Sequence, residues 1–204
     1  MTTDLDMRVL ELVCSRLCHE LVSPVGAINN GIELIEEMGQ EMAEEAIGLI
    51  AHSADQASRR LRLLRLAYGA AGGEGGLDDA AKAAAAYFAD GKIALDWQAA
   101  VPGAAASRHG LAKLLLNLTM LGEEALAHGG TISVQPGASA VLVTASGRRA
   151  ALRPESAAAL AGAVAPDTLS ARSIHAFITG RFAAHYGLAL GSIQETDRVV
   201  FTIA

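Results

Sequence analysis

Large rings are scarce here: Trp, Tyr and Phe make up 4% of the 204 residues, although 51% are hydrophobic. A core filled without them draws its volume from Leu, Val, Ile and the abundant Ala, and is expected to be helix-rich. Cysteine is nearly absent as well. Cys14 and Cys18 are one helical turn apart and on or near an apolar stripe, so they read as small buried hydrophobes rather than a disulfide. A metal pair at that spacing, with His19 adjacent, is the alternative. No further ligands sit nearby, and adjacent helical residues diverge by ~100°. The formal charge is −6 with no dense Lys/Arg run, so nucleic acid is not expected as a partner. No apolar stretch approaches the ~20 residues of a membrane span. The start, Met1-Thr2-Thr3-Asp4-Leu5-Asp6, has neither the basic flank nor the apolar run of a signal peptide. A cytoplasmic protein of one or two domains is the expectation.

What is present begins with a long helical periodicity from about Leu5 to Met38. Leu10, Cys14, Leu17, Leu21, Val25, Ile28, Ile32 and Ile35 fall three or four apart and form one stripe. Pro24 is expected to bend this helix. His19 projects roughly opposite the stripe, toward solvent, among Ser15, Ser23, Gly26 and Val22. A histidine alone on a low helix face is accessible to another protein. Leu12 and Val22 are apolar yet lie off the stripe on the His19 side, which marks a docking patch. His52, His109, His128, His175 and His185 are scattered without ligand spacing and read as structural or solvated.

After a break at Gly39-Gln40, Met42, Ala46, Leu49, Ile50, Ala57, Leu61 and Leu64 mark the buried side of a second helix. Two long helices joined by a short loop form an antiparallel hairpin. One hairpin cannot cover both of its stripes. Pairing two into a four-helix bundle can, so a homodimer is expected with Leu10, Leu17, Leu21, Val25, Ile28, Ile32, Leu49, Leu61 and Leu64 in its core. Packing of the hairpin on its own C-terminal part is the alternative.

The expected division is a helical-hairpin domain over 1–70, a Gly-rich linker over 71–76 and an α/β domain over 77–204. Past the linker, helical patterns cover Asp78–Phe88, Leu111–Leu126, Pro154–Gly162 and Ser170–Tyr186, with a turn at Pro102-Gly103. Alternation predicts strands at Ile93–Trp97, Thr131–Gln135, Ala140–Ala145, Leu188–Gln194 and Val199–Ile203. Helices alternating with antiparallel strands predict an α+β sandwich, helices on one face of a sheet.

His19-Glu20-Leu21-Val22-Ser23-Pro24 resembles the phosphoacceptor box of two-component sensor histidine kinases, and the C-terminal half resembles their ATP-binding domain. Leu114-Leu115-Leu116-Asn117-Leu118, then Glu124-Ala125-Leu126 and Gly129-Gly130-Thr131-Ile132-Ser133-Val134, follow the order of the kinase helix with nucleotide-site asparagines and its next strand. The departures matter more than the likeness. Leu121 stands where the kinases have a second, Mg²⁺-holding asparagine, and leucine cannot ligate Mg²⁺. Ala145-Ser146-Gly147-Arg148-Arg149 has no carboxylate for adenine and a single glycine. Ala165-Pro166-Asp167-Thr168-Leu169-Ser170 lacks a Gly-x-Gly lid. The nucleotide site at Asn117, Leu121, Ala145 and Gly147 is expected to be lost, with no ATP bound.

A histidine box on a dimeric bundle joined to a degenerate kinase domain is similar to the ChpT-family histidine phosphotransferases of alphaproteobacteria, as is Arg16-Leu17-Cys18-His19. The resemblance implies phosphoryl transfer through His19, from the receiver domain of a CckA-like hybrid kinase to CtrA-like and CpdR-like response regulators. It implies no cofactor of the chain's own, the receiver bringing the Mg²⁺. An exposed imidazole offers a neutral ring nitrogen near neutral pH, and such transfer is mostly positioning and charge stabilisation. Glu20 is read either as tuning the ring or meeting the receiver, or as a solvated charge. Ser23 either bonds the phosphoryl group or a water, or merely keeps the face flat. Arg16 either attracts phosphate or is a plain surface arginine. Arg148, Arg149 and Arg172 are candidates to touch a partner from the second domain. The competing functions are an active ATP-using kinase, a non-enzymatic dimeric scaffold, and a receiver phosphatase on the same surface.

Overall fold

A computed structural model describes residues 6–38, 43–70, 76–98, 108–137 and 139–204. Helices α1 (Met7–Met38) and α2 (Ala43–Tyr68) form the hairpin. Then come α3 (Leu77–Phe88), β1 (Ile93–Trp97), α4 (Leu111–Ala125), β2 (Gly130–Pro136) and β3 (Val141–Ser146). The chain closes with α5 (Pro154–Leu160), a 3₁₀ turn (Pro166–Thr168), α6 (Ile174–His185), β4 (Leu190–Glu195) and β5 (Arg198–Ile203). The expected break at Gly39-Gln40, the turn at Pro102-Gly103 and nearly all of the Gly-rich stretch lie outside the described residues.

Asp6 starts α1 as an N-cap, its Oδ1 accepting from the Arg8 and Val9 N–H groups at 2.9 and 3.2 Å. The helix continues through the buried Pro24 without interruption. Its face toward α2 differs from the predicted stripe. Pro24 and Gly31 are buried and Ala27 is half-buried, while Leu10, Cys14, Cys18, Val25 and Ile32 are exposed. Leu17, Leu21, Ile28 and Ile35 of the stripe are half-buried like Ala27, so the buried face takes one edge of the stripe and is centred about one residue round from it. Small residues explain this, because they let the helix axes approach. A Cβ at Gly31 would stand 2.6 Å from Ile50 Cγ1 and 3.2 Å from the Ala46 carbonyl oxygen.

The sheet has the order β1-β2-β3-β5-β4. All neighbours are antiparallel except β1 and β2, which pair in parallel from Ile93 opposite Gly130 to Trp97 opposite Val134. The sheet is therefore mixed rather than purely antiparallel. A parallel pair requires a crossover, and α4 lies within it. Helix α4 is the most buried element. Leu114, Leu115, Leu118 and Leu121 are fully buried in one core with Ile132, Val143, Ala145 and Phe201 of the sheet. Its other side, Ala112, Leu116 and Met120, packs with Leu63, Leu64 and Ala67 of α2 and Ala80 and Ala84 of α3. Leu64, expected in a dimer core, is instead covered within the chain, because it lies at the end of α2 that docks on α4. The architecture is α+β.

Candidate functional site

His19 is exposed near the middle of α1. Ser15, Val22 and Ser23 around it are also exposed, Val22 to 64%. At Gly26, two turns on, a Cβ would meet nothing within 4 Å. Pro24 carries no N–H, so the Glu20 carbonyl one residue past His19 loses its helical donor. The imidazole thus stands on a low, partly apolar surface that another molecule can approach. Leu12 differs from Val22. It is half-buried against the α/β core, since α6 and the 3₁₀ turn cover the start of α1 on that side.

On the adjacent face of α1, Arg16 and Glu20 enter a chain of ion pairs. Arg60 of α2 donates through Nη1 to Glu20 Oε2 at 2.8 Å, while Arg16 Nη2 lies 3.9 Å from Glu20 Oε1. The same Arg16 nitrogen is 2.8 Å from Glu124 Oε1. Glu124 also accepts from Arg153 Nη2 at 3.0 Å and bonds His175 Nδ1 at 2.9 Å. Arg153 donates on to the Arg172 carbonyl at 3.0 Å. Beside this chain the Arg60 guanidinium lies 5.6 Å from the Tyr87 ring centroid, and the Tyr87 hydroxyl donates to Glu123 Oε2 at 2.8 Å. Arg16, Glu20, Arg60, Glu123, Glu124 and Arg172 all line a shallow cleft of about 370 Å³ between the hairpin and the α/β part.

Protonation follows from this packing. Burial works against the Arg16 cation, but Tyr68, Glu124 and Glu20 outweigh it and hold the guanidinium charged. Burial alone would raise the Glu124 pKa; the His175 hydrogen bond and the charges around it draw it below the usual carboxylate range. Complete burial, reinforced by Arg16, pushes His175 down despite Glu124, so its neutral ring donates Nδ1–H to an ionised Glu124. Burial likewise pushes Tyr68 up to about 12. Arg16 is therefore not a plain surface arginine, and Glu20 is not a solvated charge. Arg172, Arg148 and Arg149 are exposed, and Arg172 is at the cleft while the other two follow β3.

The residues aligned with the kinase nucleotide site do other work. Asn117 is fully buried and donates to the carbonyls of Ala67 at 2.8 Å and Lys113 at 2.9 Å. Lys113 Nζ donates to the Gly69 carbonyl at 2.7 Å, so α4 satisfies the otherwise open C-terminal carbonyls of α2. Leu121 and Ala145 are sealed in the core. Gly147 has the backbone of Gly129 against it, 2.5 Å from where a Cβ would be.

Sequence reasoning missed Arg60 and Arg153 and gave Glu124 no role; His175, read as structural or solvated, is buried and structural. One signal was available: Glu123 and Glu124 fall in the last turn of a mostly apolar helix, and a carboxylate in that position needs a cation. Among the described residues no helix is long and apolar enough to cross a membrane, and no group of three or more His, Cys, Asp or Glu could hold a metal ion.

Known proteins share this plan. Residues 77–198 match the histidine phosphotransferase C-terminal domain family. Protein phosphotransferase ChpT of Brucella abortus is 35% identical over 198 residues, 94% of this chain and 92% of that protein. A bacterial phosphotransferase solved at 1.7 Å superposes with a TM-score of 0.80 at 32% identity, covering 100% of this chain and 98% of the other. With that match across the α/β part and that identity along nearly the whole length, the chain belongs to the ChpT family of histidine phosphotransferases.

Proposed function

We propose that the chain is the histidine phosphotransferase of a two-component phosphorelay, and that His19 carries the phosphoryl group. The observation that supports this best is the exposed imidazole in mid-helix, with Ser15, Val22, Ser23 and Gly26 leaving its approach clear. In the forward step a ring nitrogen attacks the phosphorus of a receiver's aspartyl phosphate. The new P–N bond forms as the P–O bond to the aspartate breaks, and the carboxylate leaves with the electron pair. Transfer onward to a second receiver is the reverse. Mg²⁺ that neutralises the phosphoryl oxygens comes with the receiver.

Upstream, the donor is the receiver domain of a CckA-like hybrid kinase; downstream, the acceptors are CtrA-like and CpdR-like receivers, in the cytoplasm. Val22, with Ser15, Gly26 and Arg172, forms the docking surface. Two chains pair through Leu10, Val25, Ile32, Leu49 and Leu61, all exposed in the single chain. ATP takes no part. Leu121 and Ala145 in the core, with Asn117 turned to α2, support that reading.

The test is phosphotransfer from a purified, pre-phosphorylated receiver to wild-type and His19→Ala protein, alongside incubation with labelled ATP. Label moving to the wild type only, with none gained from ATP, is expected. Self-labelling from ATP would identify a kinase. Undiminished downstream flow in His19→Ala would leave only a scaffold.

A further inference from the structure

We propose that Arg16 and Glu20 are positioning residues. They lock the turn of α1 that carries His19 to α2 and to the α/β part, and Glu20 serves that lock instead of acting on the His19 ring. The inference rests on the relay reading of His19 and adds roles for its neighbours.

Residues 16 and 20 are four apart, so they stack on one face of α1, while residue 19 points about 100° away from residue 20. Both Glu20 carboxylate oxygens face cations: Oε2 accepts from Arg60 at 2.8 Å, and Oε1 looks to Arg16 at 3.9 Å. Arg60 is itself held over Tyr87, which is bonded to Glu123 of α4. One turn earlier, Arg16 reaches Glu124 of the same helix at 2.8 Å, with both side chains about one-sixth exposed or less. Two anchors a turn apart fix both the height of α1 and its rotation; one would leave the rotation loose.

Rotation matters for a group carried at the rim. A helix with its side chains is ~5–6 Å in radius, so turning α1 by ~10° displaces the His19 ring by ~1 Å. A misplacement of that size in a transfer governed by alignment can cut the rate by ~100-fold. Partly buried ion pairs add little net stability compared with apolar packing, but they reject other alignments because a displaced charge loses its partner. That explains charged residues at a joint where leucines would hold as firmly.

The experiment uses the full chain in two measurements: NMR titration of the His19 ring, and single-turnover phosphotransfer from a pre-phosphorylated receiver. The variants are Glu20→Gln, Glu20→Ala, Arg60→Ala, both alanines together, and the exchange Glu20→Arg with Arg60→Glu. Thermal melts identify any variant that fails to fold, and Glu20→Gln, which can still accept from Arg60, is the conservative check. Glu20→Gln is expected to leave the His19 midpoint in place and to retain most of the transfer rate. Each alanine variant is expected to lose about tenfold, the pair no more than either alone. The charge exchange should recover most of that loss, which no base at residue 20 could do. A displaced His19 midpoint in Glu20→Gln, or a loss there equal to Glu20→Ala and not recovered by the exchange, overturns the proposal. If the wild type takes up no phosphate at His19 the relay reading fails, and the titration alone decides whether Glu20 acts on the ring.

Discussion

His175 shows how one residue ties acid sensitivity to the joint beside the site. It is fully buried, bonded through Nδ1 to Glu124, and its Nε2 has no hydrogen-bond partner among the described residues. Burial holds its pKa below the ordinary histidine value. The unfolded chain then binds a proton that the folded chain refuses, so stability is fully present above ~6.5 and is lost as pH falls below it. Glu124, also shifted down, contributes stability present above its unfolded pKa and lost as pH falls through the folded one, at more acidic pH. Urea denaturation at pH 7, 6 and 5 should show a decline approaching ~1.4 kcal/mol per pH unit at its steepest. His175→Asn, whose amide can donate near the Nδ1 position, should lower stability at pH 7 but flatten the slope between pH 6.5 and 5. An unchanged slope would place the titrating group elsewhere.

Among the elements, the hairpin depends on how closely its axes approach. Gly31 faces Ile50 and the Ala46 carbonyl with no room for a Cβ. Gly31→Val is expected to destabilise by about 1–3 kcal/mol through overpacking, whereas in Gly31→Ala the better helix propensity, ~1 kcal/mol, offsets part of the strain. Ile50→Ala should cost less in the Gly31→Val background than in the wild type. A double-mutant cycle in denaturant measures that coupling, and simple additivity would refute it. The same contact shows where sequence reading stops. Strands β1 to β5 are visible as alternation to within two residues; in β1, β2, β3 and β5 that alternation follows buried positions, whereas β4 is exposed along nearly its whole length. His19 is visible because it falls off the apolar stripe, at the head of the His19-Glu20-Leu21-Val22-Ser23-Pro24 box that resembles that of the sensor kinases. The α1–α2 contact is hidden, since Gly31, Ala27 and Pro24 carry too little apolar surface to register as a stripe. The ion pairs are hidden too: Glu20 and Arg60 are 40 residues apart and Arg16 and Glu124 more than 100, and no local period links them.

At the scale of the whole molecule, the outer edge of the apolar stripe read from α1, at Leu10, Cys14, Val25 and Ile32, remains uncovered, while Leu17, Leu21, Ile28 and Ile35 are half-buried. Leu10 is 38% exposed, Val25 47%, Ile32 44% and Leu61 55%, with Cys14 exposed among them. The α/β part covers the end of the hairpin where α1 starts and α2 finishes, at Val9, Leu12, Val13 and Leu17 of α1 and at Leu63, Leu64 and Ala67 of α2. An uncovered row of this kind on two long helices suits a second identical hairpin, since a two-fold axis brings the same row against itself. His19 lies well round the helix from that row and would stay outside the bundle, so pairing and relay do not compete for one surface. Light scattering should then give twice the 21.0 kDa chain mass, with a Tm that rises with protein concentration. Val25→Asp combined with Ile32→Asp should yield monomers and abolish that dependence. Cys14 supplies an internal probe: its thiol should react slowly with a maleimide in the wild type and much faster in the double variant. A wild type that scatters as a monomer, with Cys14 modified equally fast in both proteins, would mean that a different body covers the stripe.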